Sequence, residues 1–319
     1  MDNILEIKNL DLFFRIDDKE YQALYDINLN FERGKLHSIV GESGCGKTMT
    51  MMSVIRLLPK SAFIKNGEIL FNGENLLDYK ESGMRDIRGN KIALIPQDPM
   101  TSLNPLYTVG NQLIEAIRAH RKVSNHQALR KAKEVMDLVK IPDADNKLKM
   151  YPHEFSGGMK QRIIIGMALA CNAELIIADE PTTALDVTIQ KQIMDLISEI
   201  QKEYKTTIIL ISHDLALVSN YADTVTVMYA GRIAEIANAY EFFKNTKHPY
   251  SVALLNSLPG DNSNTKLKMI TGAPPNIQEK IEGCKFYPRC EHFHEGLCDK
   301  EIPRLEEKHT GHYTACFKV

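Results

Sequence analysis

One stretch limits what this chain can fold into more than any other: Gly41-Glu42-Ser43-Gly44-Cys45-Gly46-Lys47-Thr48, directly after the apolar-rich run from Lys35 to Val40. It fits the pattern G-x-x-x-x-G-K-[ST] of a phosphate-binding loop. Glycines let backbone N–H groups curl around an anion, Lys47 reaches β- and γ-phosphates, and the Thr48 hydroxyl ligates Mg²⁺. A helix starting near Lys47 aims its positive end at the same anion. The competing reading is an ordinary Gly-rich turn before a helix. The apolar run before the loop and the helical run after it favour a strand-loop-helix unit, with Gly41, Ser43, Gly44, Cys45, Gly46, Lys47 and Thr48 around a bound nucleotide.

With 319 residues the chain has room for one large or two moderate domains, and we expect two. A net charge of −2 exerts no overall pull on nucleic acid or anionic lipid. No apolar run approaches the ~18 residues needed to cross a bilayer, and Met1 to Ile7 lacks the basic start and long apolar middle of a signal peptide. The expectation is a soluble cytosolic chain whose membrane role, if any, needs a partner. Of six cysteines, four follow residue 280, which in such a chain points to metal rather than to disulfides.

Ile4 to Leu10 and Tyr25 to Phe31 alternate apolar with polar residues, as half-buried strands of an N-terminal antiparallel sheet do. Phe13 and Phe14 fall between them at an expected loop start, where one ring could stack on a base or both could pack into the core. Past the loop, Thr48 to Leu58 reads as a helix closed by Pro59, and Gly67 to Gly73 as a strand. Lys91 to Gln97 reads as a buried strand ending in a polar residue, followed by the turn-rich Asp98 to Pro105. Helical runs at about 108–121 and 124–140 suggest an inserted helical subdomain.

Three further features carry chemistry. Ser156-Gly157-Gly158 opens a helical run through Ala170; free N–H groups there suit a second anion, while a plain N-cap is the blander reading. Glu174 to Glu180 is an apolar strand ending in two carboxylates. Beside a phosphate loop, Asp179 would hold Mg²⁺ and Glu180 would activate the attacking water, although Asp-Glu alone also suits a solvated turn. A helix at about 188–203 and the strand Thr206 to Ser212 follow. His213 then stands at a strand's carboxyl end, where it could contact a γ-phosphate or serve structure only.

In this order the phosphate loop, Gln97, Ser156-Gly157-Gly158, Asp179-Glu180, Leu185-Asp186 and His213 resemble the ATP-binding cassette ATPases over roughly residues 1–240. The resemblance implies a P-loop NTPase (RecA-like) α/β core with an N-terminal antiparallel β subdomain and a helical subdomain at about 98–170. It also implies ATP and Mg²⁺, with Thr48, Gln97 and Asp179 on the metal. Phe14 matches the adenine-stacking aromatic, Gln97 the sensing loop, Asp186 the D-loop and His213 the switch histidine. Ser156, Gly157 and Gly158 would clamp the ATP of an opposite subunit. The runs Gln97 to Pro105, Phe155 to Arg162 with its Met159, and Ala178 to Gln190 are similar to the ATPase subunits of bacterial oligopeptide and dipeptide importers. Cys45 and Ala173 depart from the usual Ser and Pro without removing a catalytic group, and Cys45 suggests sensitivity to thiol reagents.

His248 to Leu255 and Gly272 to Pro275 continue the likeness, with Pro259 to Thr265 as an expected linker within a C-terminal extension, 241–319. Cys284, Cys290, Cys298 and Cys316, spaced x5, x7 and x17, suit a tetrahedral ion or a cubane cluster. Spacing favours structural zinc, with free core thiols as a further reading; the family likeness favours a [4Fe–4S] cluster. Cys171 reads as core. The expected partners are a second ATPase subunit, a copy or a paralogue, two transmembrane permeases and an extracytoplasmic solute-binding protein, with no nucleic acid. The chain would then sit at the cytoplasmic face of the membrane, docking a permease helix on the Gln97 to Pro105 loop. The solute would be a peptide, with nickel or another small solute as the alternative. A soluble cassette acting on nucleic acid or ribosomes lacks its usual coiled-coil insert, second cassette or basic surface here. A non-hydrolysing regulatory subunit would have lost Glu180 or His213.

Overall fold

The computed structural model describes residues 2–183, 185–257 and 270–319, so the expected linker at Pro259 to Thr265 lies outside the described residues. The chain divides into two compact units, one made of residues 2–32, 36–77 and 212–319 and the other of 33–35 and 78–211. The strands, in chain order, are β1 (Asn3–Ile16), β2 (Lys19–Glu32), β3 (Leu36–Val40), β4 (Ala62–Phe71), β5 (Glu74–Asn75), β6 (Ile92–Ile95), β7 (Leu175–Asp179), β8 (Thr207–Ser212), β9 (Thr224–Tyr229), β10 (Arg232–Asn238), β11 (Glu306–His309) and β12 (His312–Thr314).

The first unit holds an antiparallel sheet in the order β2-β1-β4-β5. Its long hairpin explains why alternation alone ends β1 too early. Leu5 and Ile7 face the core at period two, but the next core residue is Leu10, three positions on. Asn9 takes a positive φ of 48° and the register with β2 shifts between Ile7 and Leu10, so the bulge returns Leu10 and Leu12 to the buried face. β1 therefore runs to Ile16, and Phe13 and Phe14 lie inside a strand, opposite Gln22 and Tyr21, rather than at a loop start.

The same unit carries the fully buried β3, parallel to β9, whose hairpin partner β10 pairs with β12 and β12 with β11. The last residues of the chain thus extend the sheet at Glu235 and Ile236. Beside these strands, Tyr229, Phe242, Tyr250 and Phe286 share one apolar cluster, with Cys284 and Cys290 packed against it.

In the second unit β6, β7 and β8 run parallel, Ile92 opposite Leu175 and Leu175 opposite Thr207. Parallel strands covered on both faces read as continuous Ile/Leu/Val runs, as β7 and β8 do. Helices form between β6 and β7 at Pro99–Ser102, Val109–His120, Asn125–Leu138, Ala144–Lys147 and Gly157–Leu169. The 157–169 helix is apolar on most sides because it is a packed interior helix, burying Ile163, Ile164, Ile165 and Leu169. Helix Val187–Tyr204 is one-sided, burying Ile193, Met194, Leu196, Ile197 and Ile200. Among the described residues no helix is long and apolar enough to cross a membrane.

Candidate nucleotide site

The phosphate loop runs from β3 into helix Lys47–Val54, whose N-cap is Gly46. No side chain caps that helix, so its first N–H groups are offered to whatever the loop encloses. Gly41, Gly44 and Gly46 have φ of 148°, 79° and 110°. At Gly41 a Cβ would overlap the Met228 carbonyl oxygen and crowd Cys45 Sγ at 2.9 Å, so the strand-to-loop bend requires glycine. Lys47 is buried and folds over the loop, Nζ donating to the Gly41 carbonyl at 2.8 Å and the Glu42 carbonyl at 3.1 Å. Ser43 and Gly44 are exposed, and Thr48 is half-buried. This backbone cradle, with its ammonium and hydroxyl, fits the phosphates and Mg²⁺ of a nucleotide.

Cys45 is 3% exposed and burial pushes its thiol up, away from the reactive thiolate. The sensitivity to thiol reagents expected from sequence is therefore not favoured here. Phe14 is half-buried in β1, and His213 follows β8, exposed, just before Asp214 caps helix Leu215–Tyr221.

The other predicted residues belong to the second unit. Asp179 is the buried last residue of β7. Glu180 lies one step beyond the strand in a left-handed conformation, φ 46°, its N–H donating to the Ile211 carbonyl at 3.0 Å. Strain of this sort, costing on the order of 1–3 kcal/mol, is held where a side chain must be aimed. One carboxylate oxygen of Glu180 accepts from Gln97 Nε2 at 3.1 Å and from Thr183 Oγ1 at 3.0 Å. The structure thus brings together Gln97 and Glu180, 83 residues apart.

Ser156 caps helix Gly157–Leu169 by accepting from the Met159 N–H at 3.4 Å, the plain cap that the sequence also allowed. Asp186 caps the next long helix at Ile189 N–H, 3.0 Å. The two helix starts meet: a Cβ on Gly158 would lie 2.8 Å from Ile189 Cγ2, so that position has room for little more than glycine.

In the tail, burial and then the neighbouring thiols Cys298, Cys316 and Cys290 push Cys284 up to about 11. Burial also raises Cys290 and Cys316, with neighbouring thiols adding to it. Four thiols in mutual electrostatic reach is the donor set expected from spacing. Yet among the described residues no three His, Cys, Asp or Glu side chains group so as to hold a metal ion. Cys171 is buried at the end of helix Gly157–Leu169, as expected of a core thiol.

Sequence reasoning missed Arg289 and Tyr250. Tyr250 Oη accepts the Glu42 N–H at 2.8 Å, and Arg289 clasps the Glu42 carboxylate. Glu42 fills an unrestricted position of the loop pattern and its partners are 208 and 247 residues away, so no local signal marked them.

A glycine cradle closed by a lysine, a strand-end Asp-Glu pair and a Ser-Gly-Gly helix start define a P-loop ATPase of the cassette type. The model of the ABC transporter family matches residues 24–183, and that of the oligopeptide/dipeptide transporter C-terminal region matches 234–298. The chain belongs to the ABC transporter family. It is 47% identical over 320 residues to the probable peptide ABC transporter ATP-binding protein y4tR of Sinorhizobium fredii, covering 99% of this chain and 95% of that protein. It is 45% identical to the oligopeptide transport ATP-binding protein OppD of Escherichia coli, covering 99% and 94%. To the dipeptide transport ATP-binding protein DppD of Bacillus subtilis it is 44% identical, covering 99% and 95%. Among solved structures, cbiO1 from Clostridium perfringens, part of the ABC transporter complex cbiONQ, superposes with a TM-score of 0.66 at 28% identity, over 79% of this chain and 94% of that one. The ATP-binding cassette MJ0796 bound to ADP and Pi gives 0.66 at 24% identity over 74% and 98%, a likeness of fold.

Proposed function

We propose that this protein hydrolyses ATP to drive import of oligopeptides or dipeptides through membrane permease subunits. The observation that carries the reading is the Gln97–Glu180 pair beside the end of β7, in a chain whose peptide-transport relatives align over 99% of its length. Lys47 binds the β- and γ-phosphates, Glu180 is the general base, Gln97 senses the site and His213 contacts the γ-phosphate. Phe14 stacks on the base, while Gly41, Ser43, Gly44, Cys45 and Gly46 wrap the phosphates through their backbone. Thr48, Asp179 and Gln97 hold Mg²⁺, which when bound neutralises charge between the phosphates. Ser156, Gly157 and Gly158 clamp the nucleotide of a second ATPase subunit, which we take to be a paralogue, and Asp186 is the D-loop residue at the nucleotide.

We assign residues 1–240 to the nucleotide-binding domain, with its helical subdomain at about 98–170, and 241–319 to the extension. The Gln97 to Pro105 loop receives a permease helix at the cytoplasmic face of the membrane. Supporting this are apolar side chains left in solvent there and just beyond, Met100 at 58% exposure, Leu106 at 80% and Tyr107 at 54%. For the four tail thiols we favour a [4Fe–4S] cluster over one zinc ion. Donor identity and mutual reach support it.

The test is reconstitution with the two permeases and the solute-binding protein in liposomes. Addition of a peptide should stimulate ATP turnover several-fold; stimulation by nickel and not by peptide would replace the solute assignment. Anaerobically purified protein should be brown with about four irons per chain, whereas one zinc per chain in colourless protein would overturn the cluster.

A further inference from the structure

Arg289 ends the short turn Tyr287–Arg289 between Cys284 and Cys290, its side chain 6% exposed. An arginine has five N–H donors, and here each has an acceptor. Nη1 donates to Glu42 Oε2 at 2.6 Å and to Tyr229 Oη at 3.2 Å. Nη2 donates to Glu42 Oε1 at 2.9 Å and to the Gly272 carbonyl at 3.1 Å, and Nε donates to the Thr271 carbonyl at 2.9 Å. The fork on Glu42 is bidentate, the arrangement of greatest strength and directional fidelity between these groups. Lysine could not reproduce it.

Glu42 is the second residue of the phosphate loop and is held at three points. Its carboxylate is gripped by Arg289, its N–H donates to the buried Tyr250 Oη at 2.8 Å, and its carbonyl accepts Lys47 Nζ at 3.1 Å. The peptide on which the phosphate lysine rests is therefore anchored from the C-terminal segment. Tyr229, Tyr250 and Phe286 back this anchor, with ring centroids 4.6 to 5.3 Å apart.

We infer that Arg289 is a positioning residue for the phosphate-binding loop, coupling ATP affinity to the order of the Cys284 to Cys290 segment through Glu42. The inference rests on the loop's being the nucleotide site. Coupling of this sort is reciprocal: nucleotide should order the tail as the tail orders the loop. It acts on binding rather than on the bond-breaking step, so it moves KM and leaves kcat nearly unchanged.

The experiment uses the full chain, a fluorescent ATP analogue for affinity and steady-state hydrolysis for kcat and KM. Arg289→Met should weaken analogue binding and raise KM about tenfold with kcat within twofold. Glu42→Gln should do the same from the loop side, which keeps the test sound if the first variant folds poorly. The double variant should be no worse than either single one, and Arg289→Lys should recover only part of the loss. In the parent, ATP should slow amide hydrogen exchange across 284–290. Additive losses in the double variant, or an Arg289→Met protein whose tail loosens while ATP affinity stays at the parent value, would overturn the coupling. A parent protein that binds no ATP analogue would overturn the loop assignment itself.

Discussion

The phosphate loop and the four-cysteine segment lie in the same unit, yet they are built on different principles. The loop is held by its backbone: Gly41 takes a φ that L residues avoid, against the Met228 carbonyl, and Lys47 closes it onto its own main chain. The tail is held by side chains, through the Arg289 fork, the Tyr229, Tyr250 and Phe286 rings, and the packing of Cys284 and Cys290 against them. A backbone device demands particular residues at particular spacing, so its chemistry is visible in a string of letters. A side-chain device can be assembled from distant parts of the chain and leaves only a composition of suitable donors.

The largest effect that separates the two should come from Gly41→Ala. The added methyl meets a strand carbonyl that cannot swing aside, so ATP affinity should fall at least ~100-fold while proteolysis of the nucleotide-free tail keeps the parent rate. Titration with a fluorescent nucleotide alongside limited proteolysis would check both.

A smaller effect is expected from pH, and it should belong to the side-chain-held region alone. His248 caps helix Pro249–Asn256, its Nδ1 accepting the Tyr250 N–H at 3.0 Å, and its backbone N–H donates to Glu235 Oε2 at 3.0 Å. Burial pushes the His248 imidazole down from 6.5 to about 4. Below pH 6.5 the unfolded chain therefore takes up a proton that the folded one refuses, and stability falls as pH drops toward 4. The loss over that window is roughly 3 kcal/mol. His248→Asn keeps an acceptor for the cap and should flatten this slope in urea unfolding between pH 4 and 7. An unchanged slope would assign the acid sensitivity elsewhere.

The smallest effect concerns the thiols. Cys290→Ser should raise the rate of protease cleavage in the last ~40 residues a few-fold while the glycine cradle stays formed, because so short a segment has little core of its own and leans on side-chain contacts such as that of Cys290 with the apolar cluster. If ATP binding vanished altogether, the tail would contribute far more to the loop than the roughly tenfold coupling expected through Arg289.

What could be read in the sequence follows the same division. The strand-loop-helix, the Asp179-Glu180 strand end and the Ser156 cap were all legible, because each is a local pattern of residue types. The ends of elements were less so: β1 outruns its alternation because the bulge at Asn9 breaks the period, and the turn-rich stretch after Gln97 contains the one-turn helix Pro99–Ser102. Contacts between distant positions left no trace. The pairing of Thr314 with Glu235, the fork from Arg289 to Glu42 and the bond from Gln97 to Glu180 depend on the finished fold. The thiol spacing admitted an ion, a cluster or plain core, since ligand type alone does not determine how far apart the sulfurs sit.

The central claim is that Glu180, aimed from its left-handed turn beside β7 and touched by Gln97, activates water at an ATP held by the glycine cradle. ATP turnover and ATP binding of the purified chain and of its Glu180→Gln variant test this most directly. The variant should bind ATP as the parent does and hydrolyse it at least ~10²-fold more slowly. Turnover at the parent rate in Glu180→Gln would contradict the account.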